Sequence, residues 1–168
     1  MYCFFRKDCD RQIPVSIEDI NRIEKKFKIT FPDVLKKYYL EHNGEFIHTV
    51  YIPIYYNDGT SGITSVHEII PLINNESKYY NVEHIKEEEM NEPEKLGINL
   101  RVRNNFIPLA INQGGDIYYW DSNDEKVYIS FNDDEDENGL EIPYYICSSV
   151  DEMFKLMNEA YEKEINNS

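Results

Sequence analysis

Residues Phe106–Asp121 read FIPLAINQGGDIYYWD, two short apolar runs around one tight break. The runs are Phe106–Ile111 and Ile117–Trp120, and Asn112-Gln113-Gly114-Gly115 separates them. Short apolar runs rich in aromatic and β-branched side chains, bracketed by turn residues, read as strands rather than helices. The two consecutive glycines are expected to supply the positive φ of a short hairpin. Asp116 sits where the chain leaves the turn and Asp121 closes the second strand. A third run, Lys126–Phe131, follows across Ser122-Asn123-Asp124-Glu125. Three such runs in series predict a β-meander, and that sheet is the platform on which any helices of the chain must pack.

The flanking sequence supplies those helices. Ser16 followed by Asp19 has capping-box spacing, and Ile17, Ile20, Ile23 and Phe27 then fall close to one helical face. Pro32 is expected to open a second helix running to His42, with Leu35, Tyr38 and Tyr39 inward and a left-handed stop at Asn43-Gly44. Phe46–Tyr56 reads as a strand in which Pro53 marks an edge or a bulge. Asn57–Gly62 is turn-rich, and Ile63–Ile70 fits a strand or a helical turn equally. Asn74–Asn91 is polar and expected to be helical. After the meander come an acidic loop, Asn132–Gly139, a strand, Ile142–Cys147, and a last helix capped by Ser148 or Ser149. Val150, Met153, Phe154, Met157 and Ala160 give that helix a core-facing stripe. The expected fold class is therefore α+β: an antiparallel β-sheet packed against N-terminal and C-terminal helices. Its 168 residues form one domain, 1–168, with 1–15 as a flexible arm.

Charge is unevenly placed. Residues 1–84 carry 10 basic and 12 acidic side chains, and 85–168 carry 7 and 20, which gives −2 and −13 of the net −15. A chain charged this way repels nucleic acid and anionic membranes and attracts basic partners, although acidity also serves solubility. No apolar run reaches membrane-span length, and the start lacks a basic n-region before an apolar h-region, so the expected compartment is the cytoplasm. Cys3, Cys9 and Cys147 are odd in number and lack CxxC spacing, so they read as reduced thiols, Cys147 as core packing.

The order of these features resembles the SUKH superfamily, the Smi–Knr group. The resemblance rests first on the amphipathic helix, the link ending in Phe31-Pro32 and the Tyr-rich helix stopping at Asn43-Gly44. It rests next on Phe106-Ile107-Pro108 followed by Gly114-Gly115-Asp116 and Tyr118-Tyr119-Trp120-Asp121, and last on Val127-Tyr128 and the Ser-capped helix Ser149–Tyr161. Glu45 stands where the family has a second glycine, and Ser77–Asn104 matches none of these features. The resemblance implies a SUKH-like α+β domain. It further implies an immunity protein that binds and neutralises a toxin domain, often a nuclease, or else a regulatory scaffold for an endogenous partner. It carries over no catalytic residue.

Such a nuclease needs a cationic surface for phosphates, and an acidic binder can mimic the nucleic-acid backbone and be steered to it. From Asp116 to Glu141 there are 10 acidic side chains and one basic one, Lys126. The expected partner-binding set is Asp116, Asp121, Asp124, Glu125, Asp133, Asp134, Glu135, Asp136 and Glu137, with Tyr118, Trp120 and Tyr128 as aromatic anchors. Against it stands the reading of a solvated acidic loop over a sheet whose aromatics are core. Alternation puts Tyr119 opposite Tyr118 and Trp120, so only one of these sets can face out.

Other chemistry finds little footing. Asp134–Gly139 matches the first half of an EF-hand loop, but Tyr145 occupies the position of its bidentate Glu. His42, His48, His67 and His84 are scattered with no HExxH, and Gly114-Gly115 lies in no phosphate-loop motif. The expectation is no catalysis, no metal and no cofactor, with monomer and dimer both open.

Overall fold

The computed structural model describes residues 13–44, 46–73, 81–91, 105–139 and 141–167. The first helix, α1 (Ile17–Phe27), begins as a reciprocal capping box. Ser16 Oγ accepts from the Asp19 N–H at 3.1 Å, and the Ser16 N–H donates to Asp19 Oδ2 at 3.0 Å. Ile20 and Ile23 are buried while Ile17 is exposed, so the inner stripe is narrower than the sequence spacing implied. The second helix, α2 (Asp33–Glu41), uses Pro32 as its N-cap, and it buries Leu35, Tyr38 and Tyr39. It stops as expected: Asn43 has φ +53° and Gly44 φ +82°.

Six strands follow: β1 (Phe46–Tyr55), β2 (Ser61–Ile69), β3 (Phe106–Ile111), β4 (Ile117–Asp121), β5 (Val127–Glu135) and β6 (Glu141–Cys147). Helix α3 (Val82–Asn91) lies between β2 and β3, and α4 (Val150–Asn166) closes the chain. Ile63–Ile70, ambiguous in sequence, belongs to β2 through Ile69. Of the expected helix Asn74–Asn91, Val82–Asn91 is helical, and 74–80 lie outside the described residues, as do 1–12 of the expected arm. Within that arm, Val15 is buried against the core.

Every strand pairs antiparallel with its sequence neighbour, and the sheet closes as a small barrel when β6 meets β1 at Tyr55 and Tyr145. The meander is thus part of a closed sheet rather than an open one. Pro53 sits in register opposite Ile63, and the β1 irregularity lies between Phe46 and Val50 instead. Proline is tolerated there because β1 meets β6 at only one residue pair, so the missing N–H costs no ladder bond on that side. Helix α4 packs along β1 and buries Val150, Met153, Phe154 and Met157. Phe31 bridges helix and sheet, with its ring 5.9 Å from Trp120 and 6.0 Å from Tyr39. Helices α1 and α3 are tied by Glu83 Oε1, which accepts from Arg22 Nη1 at 2.6 Å and Lys26 Nζ at 2.8 Å. Burial raises the Glu83 carboxyl only in part against those two donors, and it ionises below its ordinary range, with the Arg22 hydrogen bond the largest cause.

Candidate functional site

An antiparallel barrel sends alternate turns to opposite ends. Here β1–β2, β3–β4 and β5–β6 turn at one end. The helices join the sheet at the other, where the β4–β5 turn also lies. The acidic set is divided by this topology. Asp116 and Asp133–Glu137 belong to the hairpin end, whereas Asp121, Asp124 and Glu125 lie at the helical end, ~20 Å away along β5.

At the hairpin end the β3–β4 turn is held by Asn112. Its Oδ1 accepts from the N–H groups of Gly114 at 2.8 Å and Asp116 at 2.9 Å. Only Gly115 takes a positive φ, +86°, so one glycine and the Asn112 side chain do what two glycines were expected to do. Asp116 then staples two hairpins together: Oδ2 accepts from Asn112 Nδ2 at 2.7 Å, and Oδ1 from the Asn132 N–H at 3.0 Å. The expected acidic loop Asn132–Gly139 is strand through Glu135, because β5 continues to pair with β6 up to Glu135 and Glu141. The turn proper is Asp136–Gly139, where Asp136 Oδ1 accepts from the Asn138 N–H at 2.8 Å and Gly139 has φ +73°.

Two side chains missed by sequence reasoning complete this end. Asp58, in the β1–β2 turn, accepts from the Thr60 N–H and hydroxyl at 2.8 and 2.7 Å, which hold its carboxyl below the ordinary range. Glu141 accepts from Ser130 Oγ at 2.7 Å, and burial, then Glu135 and Asp116, push its carboxyl up. Tyr144 donates to Asp134 Oδ2 and packs against Tyr56 and Phe131. Burial and the nearby Asp134, Tyr56 and Asp58 push its phenol up to about 12. The turn signals at Asn57–Gly62 were legible in sequence. That these turns share an end with Asn132–Glu141 follows only from strand count and register.

The result is one end carrying Asp58, Asp116, Asp133, Asp134, Glu135, Asp136, Glu137 and Glu141, with no Lys or Arg in Asn57–Gly62, Asn112–Ile117 or Ser130–Pro143. At the helical end Asp121 is 3 % exposed. Burial raises the Asp124 carboxyl, but Lys126 Nζ at 2.9 Å, the Lys126 N–H and the Tyr128 hydroxyl at 3.0 Å outweigh it and hold it low. Glu125 takes φ +63° in that turn.

The aromatic anchors need correction. Tyr118 and Trp120 are 0 % and 2 % exposed and point into the barrel core, where the Tyr118 hydroxyl donates to the Ser65 carbonyl at 2.7 Å. Tyr119, on the opposite face, is also buried, against Phe106. Neither alternating set faces out, because the closed sheet is covered on both sides here. Only Tyr128 of the three stays partly exposed, stacked on Phe106 at 5.2 Å.

Among the described residues no group of three His, Cys, Asp or Glu side chains is placed to hold a metal. Cys147 is buried, and burial pushes its thiol up to about 12, away from the thiolate form. Among the described residues no helix is long and apolar enough to cross a membrane.

The sequence model of the SMI1 / KNR4 family (SUKH-1) matches residues 14–156, from the end of the N-terminal arm into α4. No curated protein matches the chain in sequence.

Proposed function

The chain belongs to the SMI1 / KNR4 family (SUKH-1), and from that premise we propose that it is an immunity protein that neutralises a cognate toxin domain by covering it. The toxin is a nuclease in this reading, and the protein acts in the cytoplasm as a binder without catalysis or cofactor. The observation that carries the proposal is the hairpin end, with eight carboxylates and no basic side chain in its three turn segments. A nuclease groove is cationic because it must hold phosphates. A cluster of carboxylates on a rigid rim presents the same charge pattern and speeds encounter. Asp116, Asp133, Asp134, Glu135, Asp136 and Glu137 fit this role, as do Asp58 and Glu141. Asp124 and Glu125 lie at the other end of β5, Asp121, Tyr118 and Trp120 are core, and Tyr128 stays partly exposed beside Tyr145, whose ring is 6.1 Å away.

The test is co-expression with the C-terminal domain of a candidate toxin encoded beside this chain, scored by survival and by co-purification at low and high salt. Rescue is expected, with association slowed by salt. Changing Asp133, Asp134, Glu135, Asp136 and Glu137 to Asn or Gln is expected to lower the association rate ~10-fold at low salt and to flatten the salt dependence. Absence of rescue and of a complex with every neighbouring toxin refutes the reading and turns attention to a regulatory role with an endogenous partner.

A further inference from the structure

Carboxylates steer a partner, but an acidic rim alone holds it weakly, because exposed ion pairs contribute little once formed. A second surface lies beside the rim. On the outer face of the β1–β2 hairpin, Ile63 is 71 % exposed, Tyr51 54 % and Tyr55 47 %, the most exposed large apolar side chains of the sheet among the described residues. Their direction follows from strand alternation. Val50, Ile52 and Ile54 point into the core, so Tyr51, Pro53 and Tyr55 point out, with Ile63 paired opposite Pro53. Helix α4 runs alongside, and between them Tyr51, Pro53 and Ile63 face Leu156 and Ala160 across a groove of about 400 Å³. Tyr51, Pro53, Ile63 and Leu156 of this groove lie within the span matched by the family, and Glu159, Ala160, Lys163 and Glu164 lie beyond it.

We propose that this groove is the anchoring half of the partner contact, taking an apolar side chain from a basic segment of the toxin domain. The occupant's identity rests on the immunity reading above. Two observations choose it. First, the groove is continuous with the acidic rim through one hairpin: Asp58 is five residues along the chain from both Pro53 and Ile63, ~15 Å. A standard interface covers ~800 Å² per partner, enough to span both. Second, the surrounding charge is negative. Glu159 and Glu164 line the groove against Lys163 alone. A second copy of a chain of net charge −15 would set like charges face to face, whereas Lys or Arg flanking an apolar anchor complements them. The rim then governs association and the groove governs release.

The experiment compares the full chain with the double variant Ile63→Ser, Tyr51→Ser and with the five-carboxylate variant, each checked for folding by circular dichroism. Binding to the neighbouring toxin domain is followed by interferometry at two salt concentrations. The double variant is expected to dissociate at least 10-fold faster at both salts with its association rate unchanged, while the five-carboxylate variant shows the reverse. An unchanged dissociation rate in the double variant overturns the groove and leaves the immunity reading standing. If no toxin binds the unaltered chain, the immunity reading falls. The groove is then judged by a displayed library of random peptides selected on the unaltered chain. Enriched peptides with an aromatic or aliphatic residue flanked by Lys or Arg, lost on the double variant, support it; failure to enrich them overturns it. Sedimentation of the chain alone is the remaining check, because a dimer dispersed by Ile63→Ser shows that a second copy fills the groove and overturns the proposal.

Discussion

Asn43 is expected to be the most consequential polar side chain in the fold. It is 1 % exposed, has φ +53°, and joins three segments. Its Nδ2 donates to the carbonyls of Ile13 at 2.7 Å and Ile73 at 2.9 Å, and its Oδ1 accepts from the N–H groups of Leu72 at 2.9 Å and Ile73 at 3.3 Å. Asn43→Gly keeps the left-handed backbone easy but removes all four bonds. At ~1 kcal/mol net for each, with the longest counted as weaker, the loss is ~3–4 kcal/mol. Asn43→Ala loses the same bonds and adds ~1 kcal/mol, because alanine lacks the short polar side chain that eases asparagine into the left-handed region. With a urea slope of ~2 kcal/mol per molar for a domain of this size, the midpoint falls by ~1.5–2 M for Asn43→Gly and by ~2–2.5 M for Asn43→Ala. Equilibrium urea titration followed by circular dichroism measures both, and an unchanged slope keeps the comparison valid. A shift under ~0.3 M for Asn43→Gly would show that the clamp contributes nothing beyond what a bare helix stop provides.

Three further outcomes are expected. Gly44→Ala places a Cβ 2.4 Å from Pro71 Cα at φ +82°, whereas Gly59→Ala, at φ +86°, meets nothing within 4 Å. The first is expected to cost at least ~3 kcal/mol and the second ~1 kcal/mol by urea titration, although their backbone angles are alike. Glu141 has a carboxyl raised by burial above the ordinary value of 4.5, so its ionised form costs stability, and the cost grows as pH rises from the unfolded value through the folded one. Glu141→Gln is expected to raise the urea midpoint at pH 7 and to have no such effect below ~4, since Ser130 keeps an acceptor throughout. Trp120 is the only tryptophan and is 2 % exposed, so its fluorescence is expected to resist acrylamide and to stay unaltered when a partner binds. A changed quenching constant in a complex would refute the placement of that side chain in an undisturbed core.

Local signals in the sequence located most of the elements. Ser16 with Asp19 opens α1, Asn43-Gly44 ends α2, and Ser149 caps α4, accepting from the Glu152 N–H at 3.1 Å. The last of these differs from a reciprocal capping box in one respect: Glu152 Oε2 accepts from the Ser148 N–H, one residue before the cap. Closure of the sheet was not legible, because it rests on the single pair Tyr55 and Tyr145, more than eighty residues apart. The same long-range step decides the aromatic residues. Alternation correctly separated Tyr119 from Tyr118 and Trp120, but whether a face is open depends on what covers it, and both faces are covered at β4. The exposed aromatics are instead Tyr51 and Tyr55, on a strand whose alternation alone looked like any other. For the acidic residues the sequence supplied identity and not position: Asp124 is as close in sequence to Asp116 as Asp133 is to Glu141, yet an intervening strand carries Asp124 to the other end.

The arrangement at the hairpin end has an energetic consequence that separates binding from folding. Each hairpin satisfies its own backbone locally, through Asp58, Asn112 and Asp136. No cation in those turns compensates the eight carboxylates, and the folded chain holds them together against mutual repulsion. At Glu141 burial is the main cause that raises the carboxyl, and Glu135 and Asp116 add to it. Ion pairs among the described residues include those at the helices and the β4–β5 turn: Arg22 and Lys26 serve Glu83 between α1 and α3, Lys36 serves Glu24, and Lys126 serves Asp124. On the side of the molecule that joins helices to sheet, Glu83, Glu24 and Asp124 thus have cationic partners, whereas the three hairpin turn segments hold no Lys or Arg of their own. In the proposed contact, a cationic partner docking there relieves that repulsion. Its contribution depends on salt, while the apolar contact between β1, β2 and α4 does not. In that contact steering, on the rim of three hairpins, is separate from anchoring, on the outer face of β1–β2, and variants at exposed residues of each test the two apart.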